Sequence, residues 1–275
     1  MEFLLSIVTI NYNNKAGLKK TVESIVSQTY REFEYLIIDG GSTDGSNDIV
    51  AQYKNDIHYA VSEKDKGIYN AMNKGILAAK GRYILFVNSG DILFEQNTLL
   101  ACIPYLQHNT DFVYGNTFFD KAGYKSFVNY PDKLSFSFFL TDSLCHQSTF
   151  IKRELFTNSL YNETAKIVSD WEFFVINICK LNKTYKHINL TVSVFDASGA
   201  SSQQLQYNTT ERRAVIEEHF SAFADDYNYI KALKLRRIKQ LVFISGKPLA
   251  WKFLKAVINF IIFLIPSAKE KLWRQ

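Results

Sequence analysis

Four short apolar runs mark the first third of the chain: Leu4 to Ile10, Tyr35 to Ile38, Ile57 to Ser62 and Tyr83 to Val87. Each has the length of a buried strand. Between them, apolar residues recur at helical spacing. Ala16 to Gln28 carries Leu18, Val22, Ile25 and Val26 on one face, Ser46 to Tyr53 follows a cap-rich loop, and Ile68 to Lys80 carries Ile68, Met72, Ile76 and Ala79 before Gly81 stops it. Strands that alternate with helices predict a mostly parallel sheet covered on both faces. Each strand runs into a polar loop: Asn11–Asn14, Asp39–Ser46, Glu63–Gly67 and Asn88–Asp91. In a parallel sheet these loops share the carboxyl edge, where open α/β folds bind ligands.

After Asp91 the rhythm changes. Thr98 to Gln107 reads as a helix, and Phe112 to Phe119 with Tyr124 to Tyr130 reads as an antiparallel pair. Phe136 to Leu140 is aromatic and apolar, and Cys145-His146-Gln147-Ser148 precedes a short strand, Thr149 to Lys152. Val168 to Leu181 reads as a helix starting near Ser169-Asp170, Lys186 to Phe195 as a last strand, and Gln203 to Ala224 as a mostly polar helix.

With 275 residues, 47% of them hydrophobic and 15% aromatic, the chain can build a large core. Pro is scarce and low-complexity tracts are absent, which argues against long disorder. Cys102, Cys145 and Cys179 form no CxxC pair, which points to a reducing compartment and away from a zinc knuckle or disulfide framework. The chain enters a strand almost at once, without the basic-then-apolar start of a signal peptide.

The net charge of +5 hides an asymmetry: residues 228–275 hold eleven Lys or Arg against one acid, Glu270, leaving residues 1–227 net acidic. The expected division is therefore an α/β domain over 1–227 and a basic, apolar helical tail over 228–275. Within the tail, Leu249 to Ile265 is shorter than a spanning helix needs and is interrupted by Lys252 and Lys255 before Pro266 ends it. It reads as a helix lying on an anionic membrane surface; a buried core helix or a re-entrant hairpin is the other reading. The continuous apolar content argues against a nucleic-acid-binding arm.

The strand ends carry the candidate chemistry. Tyr83 to Val87 delivers Asp91 past the turn Asn88-Ser89-Gly90, and a carboxylate there can hold a divalent cation that in turn holds a diphosphate. The plainer reading is a turn or helix cap. The loop at Asp39 lacks both GxGxxG spacing and a Gly-Lys-Ser/Thr, so it is neither a dinucleotide fingerprint nor a Walker loop. Asp39 can accept a hydrogen bond from a base N–H or a ribose hydroxyl, or simply belong to an ordinary turn.

Four blocks, in this order and spacing, resemble the family 2 glycosyltransferases, inverting nucleotide-sugar transferases of the GT-A fold. They are Ser6-Ile7-Val8-Thr9-Ile10-Asn11-Tyr12-Asn13; Ile37-Ile38-Asp39-Gly40-Gly41-Ser42-Thr43-Asp44-Gly45-Ser46; Ser62 to Gly75, containing Asp65-Lys66-Gly67; and Asn88-Ser89-Gly90-Asp91. The resemblance covers about residues 1–200, and it looks closest to the bacterial subset that builds lipid-linked precursors of surface polysaccharides such as O-antigen or capsule. It implies a donor half over 1–91 and an acceptor half over 92–200. Thr9, Asn11 and Tyr12 would flank the nucleotide, Asp39 would bind uracil or ribose, and Asp65 with Lys66 would lie on the same side of a UDP-sugar.

Asn88, Gly90 and Asp91 would hold the diphosphate, with Asp91 as ligand to Mn²⁺ or Mg²⁺; the family's DxD motif is reduced here to one acid. Asn70 stands where many relatives carry Asp, so it receives no acid role. Asp170, in Val168-Ser169-Asp170-Trp171-Glu172, matches the family's catalytic base, which takes the acceptor hydroxyl's proton; without the resemblance it reads as a helix cap. Glu172 is the alternative base, Trp171 could stack on sugar, and His146-Gln147 would lie near the diphosphate or acceptor.

The resemblance thus implies transfer from a UDP-sugar to a saccharide, lipid-linked through polyprenyl diphosphate, at the inner face of the cell membrane. Two alternatives are an inactive fold-mate that binds nucleotide or polysaccharide as an assembly partner, and a nucleotidyltransferase. The second needs a Gly-rich basic loop where this chain has Asn11-Tyr12-Asn13-Asn14.

Overall fold

The computed structural model describes residues 3–121, 124–196, 205–233 and 236–264. They fall in two compact units, Met1–Ser221 and Ala222–Gln275.

The first unit is built on one sheet. β1 (Leu5–Asn11), β2 (Glu34–Asp39), β3 (Tyr59–Ser62) and β4 (Tyr83–Phe86) run parallel in the order β3-β2-β1-β4. β1, β2 and β4 are buried along their whole length, which is why they read as unbroken apolar runs. β3 is the exposed edge and begins later than the apolar run suggested. The crossovers are α1 (Lys15–Val26), α2 (Ser46–Gln52) and α3 (Ile68–Ala78). α1 packs Leu18, Val22 and Ile25 into a cluster with Leu5, Ile7, Tyr35 and Ile37. α3 covers the residues that alternate with these: a Cβ on Gly75 would lie 2.5 Å from Val8 Cγ1, so only glycine lets the helix sit this close.

The second half extends the sheet with mixed pairings. β5 (Ile92–Leu93), α4 (Thr98–Leu106), β6 (Phe112–Lys121), β7 (Tyr124–Val128) and α5 (Phe136–Phe139) lead to a 3₁₀ turn at His146–Ser148 and to β8 (Thr149–Lys152). α6 (Ser169–Val175) and β9 (Tyr185–Asp196) follow. β8 joins β4 to β6 by antiparallel pairing, β9 lies parallel to β6, and the two-residue β5 pairs with β9. β6 and β7 form the expected antiparallel pair.

Two helices differ from expectation. α6 passes into a π turn at Ile176–Lys180 and does not run unbroken to Leu181. The polar helix is α7 (Leu205–His219), which stops where Phe220 turns inward to pack on Phe136 with ring centroids 4.8 Å apart. Gln203 and Gln204, assigned to that helix, lie outside the described residues.

The second unit holds α8 (Ala224–Leu233), α9 (Arg236–Ser245) and α10 (Pro248–Phe263). Pro248 sits in the first turn of α10, where its missing N–H has no helical partner to lose. α10 buries none of its residues. Leu249 is 87% exposed, Phe253 73% and Phe263 72%. Among the described residues no helix is long and apolar enough to cross a membrane. The end of the tail, 265–275, lies outside the described residues.

Candidate functional site

Strand order fixes the place. β2 and β3 lie on one side of β1 and β4 on the other, so the chain direction across the sheet reverses between β1 and β4, a switch point with a crevice at the carboxyl ends. The parallel register sets Asn11 beside Asp39 and Asp39 beside Ser62. One Asp39 oxygen accepts from Asn11 Nδ2 (2.7 Å) and Ser42 Oγ (2.6 Å). The other accepts from Ser62 Oγ (2.6 Å) and from the N–H groups of Ser42 (2.8 Å) and Gly41 (3.2 Å). Burial pushes the Asp39 pKa up, but these bonds outweigh it and hold the carboxyl below its ordinary value. Its acceptor sites are filled by the protein. Asp39 ties the following loop to the sheet, and a base or ribose would reach its carboxylate by exchanging one of these donors, such as a serine hydroxyl.

Beside it lies a flatter surface. Tyr12 is 66% exposed. A Cβ on Gly40 would lie 2.4 Å from Asp65 Oδ2 and 3.1 Å from Tyr12 Cδ2, so glycine lets ring, backbone and carboxylate gather at one point. Asp65 Oδ1 accepts from Gly67 N (3.1 Å), and exposed Lys66 donates its backbone N–H to Asn70 Oδ1. Thr9, expected near the nucleotide, is fully buried and bonded to Val87 O (2.8 Å) and Tyr35 OH (3.1 Å). It belongs to the core, because the side chain points into the sheet's covered face.

At the end of β4, Thr21 of α1 ties the loop down: its hydroxyl donates to Asp91 O (2.7 Å) and accepts from Gly90 N (2.9 Å). Gly90 has φ +110, a conformation L side chains rarely adopt. Asp91 is 4% exposed. Its Oδ2 accepts from Gln147 Nε2 (2.8 Å) and its Oδ1 from the Asp196 N–H (2.9 Å). Burial pushes its pKa up to about 6, against the Gln147 and Asp196 N–H bonds.

Asp170 stands in the first turn of α6, where Val168 is the N-cap and no side chain makes a capping bond. Asp170 is therefore not the N-cap residue, although its carboxylate accepts from the first-turn N–H of Trp171. Asp170 Oδ1 accepts from Tyr69 OH (3.1 Å) and Oδ2 bonds His146 Nδ1 (3.1 Å). Burial raises its pKa, but the bond and charge of His146, the Trp171 N–H and the Tyr69 hydroxyl together bring it below the ordinary value. The side chain keeps 18% exposure. An ionised carboxylate only accepts, so the His146 Nδ1 carries a proton. The Asn88 amide meets the other ring nitrogen, Nε2, at 3.0 Å.

His146 and Gln147, expected near diphosphate or acceptor, bond the two acids Asp170 and Asp91. Trp171 is 1% exposed, donates from Nε1 to Phe139 O (2.7 Å) and lies under Arg212 (4.7 Å), so it is core and offers no face to a sugar. Glu172 faces Asn162 (3.4 Å) and His219 (3.8 Å) and lines a cavity of about 520 Å³ with Asn158, Phe173 and Lys183, so it does not share the partners of Asp170. Sequence reasoning gave no site role to Tyr69, Cys145 or Asp196. Tyr69 lies inside the third block, one residue before Asn70, and Cys145 directly precedes His146-Gln147; Asp196 had no signal.

Among the described residues, no three His, Cys, Asp or Glu side chains form a metal cage. A cation at Asp91 would take its other ligands from a substrate and water.

The model of glycosyl transferase family 2 matches residues 6–165. A PGL/p-HBAD biosynthesis glycosyltransferase of Mycobacterium bovis (strain BCG / Pasteur 1173P2) is 28% identical over 209 residues, 74% of this chain and 80% of the relative. Glycosyltransferase GlyG of Streptococcus pneumoniae serotype 4 is 31% identical over 191 residues, 66% of this chain and 58% of GlyG. Among solved structures, S. aureus TarS 1-349 in complex with UDP-GlcNAc superposes with a TM-score of 0.64 at 18% identity, covering 88% of this chain and 74% of that one. Mannosyltransferase PcManGT from Pyrobaculum calidifontis, in complex with GDP-Man and Mn²⁺, has a TM-score of 0.64 at 14% identity, covering 98% and 83%. At these identities the two structures show the fold, GT-A-like with a curled, mostly parallel sheet.

Proposed function

The chain belongs to glycosyl transferase family 2, and on that premise we propose that it moves a sugar from a UDP-sugar to a hydroxyl of a saccharide acceptor, with inversion, in the synthesis of a cell-surface glycan. One observation carries the reading: consecutive residues of one turn, His146 and Gln147, hold the two acids that such a reaction needs, Asp170 and Asp91. The TarS complex with UDP-GlcNAc favours a uridine donor. The PGL/p-HBAD relative and the putative teichuronic acid biosynthesis glycosyltransferase TuaG of Bacillus subtilis, 37% identical over 91 residues, favour a surface glycan as product.

In this reading Tyr12, Asn11, Asp65 and Lys66 receive the nucleoside, and Asp39 holds their loop in shape. A divalent cation fits Asp91: Gln147 and the Asp196 N–H each bond one carboxylate oxygen, and the pKa raised by burial marks a charge the protein leaves poorly compensated. Mg²⁺ and similar ions are commonly held by one or two carboxylates plus phosphate oxygens and water. Asp91 would hold the ion, with Asn88 and Gly90 beside the diphosphate, and when bound it offsets charge on the leaving nucleotide. Asp170 is ionised and takes the proton of the acceptor hydroxyl. That oxygen forms a bond to the anomeric carbon as the bond to diphosphate breaks on the opposite face, so an α-linked donor yields a β-linkage.

α10 supports a membrane-surface location through its exposed apolar side chains. Its exposed Phe253, Phe260 and Leu264 insert among anionic lipids while Lys247, Lys252 and Lys255 meet head groups, at the cytoplasmic face where a lipid-linked acceptor resides.

Calorimetric titration with UDP, with and without Mn²⁺, tests the donor site. Metal-dependent binding that is lost in Asp91→Ala is expected. No binding under either condition sinks the uridine reading, and binding of GDP in its place redirects it to a guanosine donor. Co-sedimentation with phosphatidylserine vesicles, lost on Phe253→Asp with Phe260→Asp, tests the tail.

A further inference from the structure

The 3₁₀ turn His146–Ser148 has anchors on every side. Ser148 is fully buried. Its hydroxyl meets Thr117 Oγ1 of β6 (2.8 Å), Asn116 O (3.1 Å) and Ser193 Oγ of β9 (2.7 Å). Its backbone N–H donates to Cys145 O (3.0 Å), and the Thr149 hydroxyl donates to the same carbonyl (2.8 Å). The turn therefore cannot shift without breaking bonds to two central strands.

From this anchored turn two side chains leave in different directions. Gln147, 2% exposed, gives its Nε2 to Asp91, while its Oε1 accepts from the Cys145 thiol (2.8 Å). Burial keeps that thiol protonated and hence a donor. The amide is thus held at both ends: oxygen toward sulfur, nitrogen toward carboxylate. His146 packs its ring edge-on to Phe86, meets the Asn88 amide at Nε2 and donates from Nδ1 to Asp170. Asn88 and Asp91 themselves belong to one loop, closed by the Asp91 N–H on Asn88 O (2.9 Å).

We propose that His146-Gln147 is a two-handed positioning element: Gln147 sets the carboxylate that takes the cation and His146 sets the carboxylate that takes the proton, so one rigid turn fixes the spacing between the leaving-group side and the base. Neither residue touches substrate. The inference rests on the roles given above to Asp91 and Asp170. It adds that those roles are separable at the turn, because each hand hydrogen-bonds one acid only.

The test measures Mn²⁺ affinity by calorimetry in the presence of UDP, and kcat for UDP release from whichever UDP-sugar the wild type turns over fastest. Gln147→Met keeps the length of the side chain and removes its donor. It is expected to raise the Mn²⁺ Kd about 10–100-fold, the usual cost of losing a ligand's hydrogen-bonding partner. For the other hand the amide variants mimic single ring nitrogens. His146→Asn places a donor where Nδ1 was, and His146→Gln places one where Nε2 was. His146→Gln is expected to lower kcat at least tenfold with Mn²⁺ affinity within about twofold of wild type, and His146→Asn to restore most of that loss.

Melting temperatures establish that the variants fold. If Gln147→Met does not, Gln147→Asn, which draws the amide back by one methylene, takes its place. An Mn²⁺ Kd unchanged by the Gln147 variants, or a His146→Asn enzyme no better than His146→Gln, overturns the proposal while Asp91→Ala and Asp170→Asn still behave as a metal ligand and a base should. If wild type shows no metal-dependent UDP binding, the catalytic reading itself fails and takes this proposal with it.

Discussion

Asp39 and Asp91 occupy equivalent places, one at the end of β2 and the other just past the end of β4, and both are almost fully buried. Their surroundings are opposite. Asp39 has five protein donors and a pKa below its ordinary value; Asp91 has two and a pKa of about 6. The protein has completed one carboxylate and left the other short of positive charge. A buried anion left short is costly unless something supplies that charge. The contrast teaches that strand-end position alone does not make a ligand site; the number of donors already present sets how much of each acid's charge is left for a partner.

The largest expected effect concerns a third carboxylate. Asp170 is held by bonds, as Asp39 is, yet keeps 18% exposure. Asp170→Asn is expected to lower kcat about 10²–10⁴-fold with UDP and Mn²⁺ affinities retained. Loss of nucleotide affinity instead would class Asp170 with the structural acids. Next, Asp39→Ala strands Asn11, Ser42, Ser62 and backbone donors, and chemical denaturation is expected to show a loss of about 3–4 kcal/mol. A loss below about 1 kcal/mol would erase the distinction between the two strand ends.

The third prediction uses pH on metal-free protein. Folded Asp91 keeps its proton up to about pH 6, against an ordinary value of 3.8. The stability it contributes is therefore present below about pH 4 and is lost as pH rises through 6. Relative to Asp91→Asn, wild type should lose about 3 kcal/mol between pH 4 and pH 8. Asp39 has the reverse sign: its contribution is present above the ordinary carboxylate range and is lost as pH falls. Equal slopes for the two Asn variants would break the comparison. The smallest effect is Gly40→Ala, whose Cβ meets Asp65 Oδ2 at 2.4 Å. That oxygen ends a side chain that can swing aside, so a loss of UDP affinity of about tenfold or less, roughly 1.4 kcal/mol at most, is expected by calorimetry with little change in melting temperature.

The first half of the fold was legible because β1, β2 and β4 are covered on both faces, so burial writes itself as unbroken apolar runs, and parallel register then places their polar ends together. The second half was legible as elements and not as pairings. Nothing local tells that β9 lies parallel to β6, or that two residues at Ile92–Leu93 form a strand. Motif membership also overreached. Thr9 and Trp171 sit in the right blocks, but burial assigns them to the core. The links from Gln147 to Asp91 and from His146 to Asp170 join residues far apart in sequence, through hydrogen bonds that leave no trace in hydropathy or spacing.

The thiol beside Gln147 has a consequence of its own. An amide's two ends are nearly alike in shape and opposite in polarity, so packing alone does not choose between them. Facing Asp91, one orientation attracts and the other repels. Asp91 favours the orientation that turns the nitrogen to it, and Cys145, two residues away and donating to the oxygen, favours the same one. The thiol's contribution is information more than cohesion: carboxylate and sulfur agree on one of two equally fitting rotamers, and with it on the sign of the field that Asp91 feels.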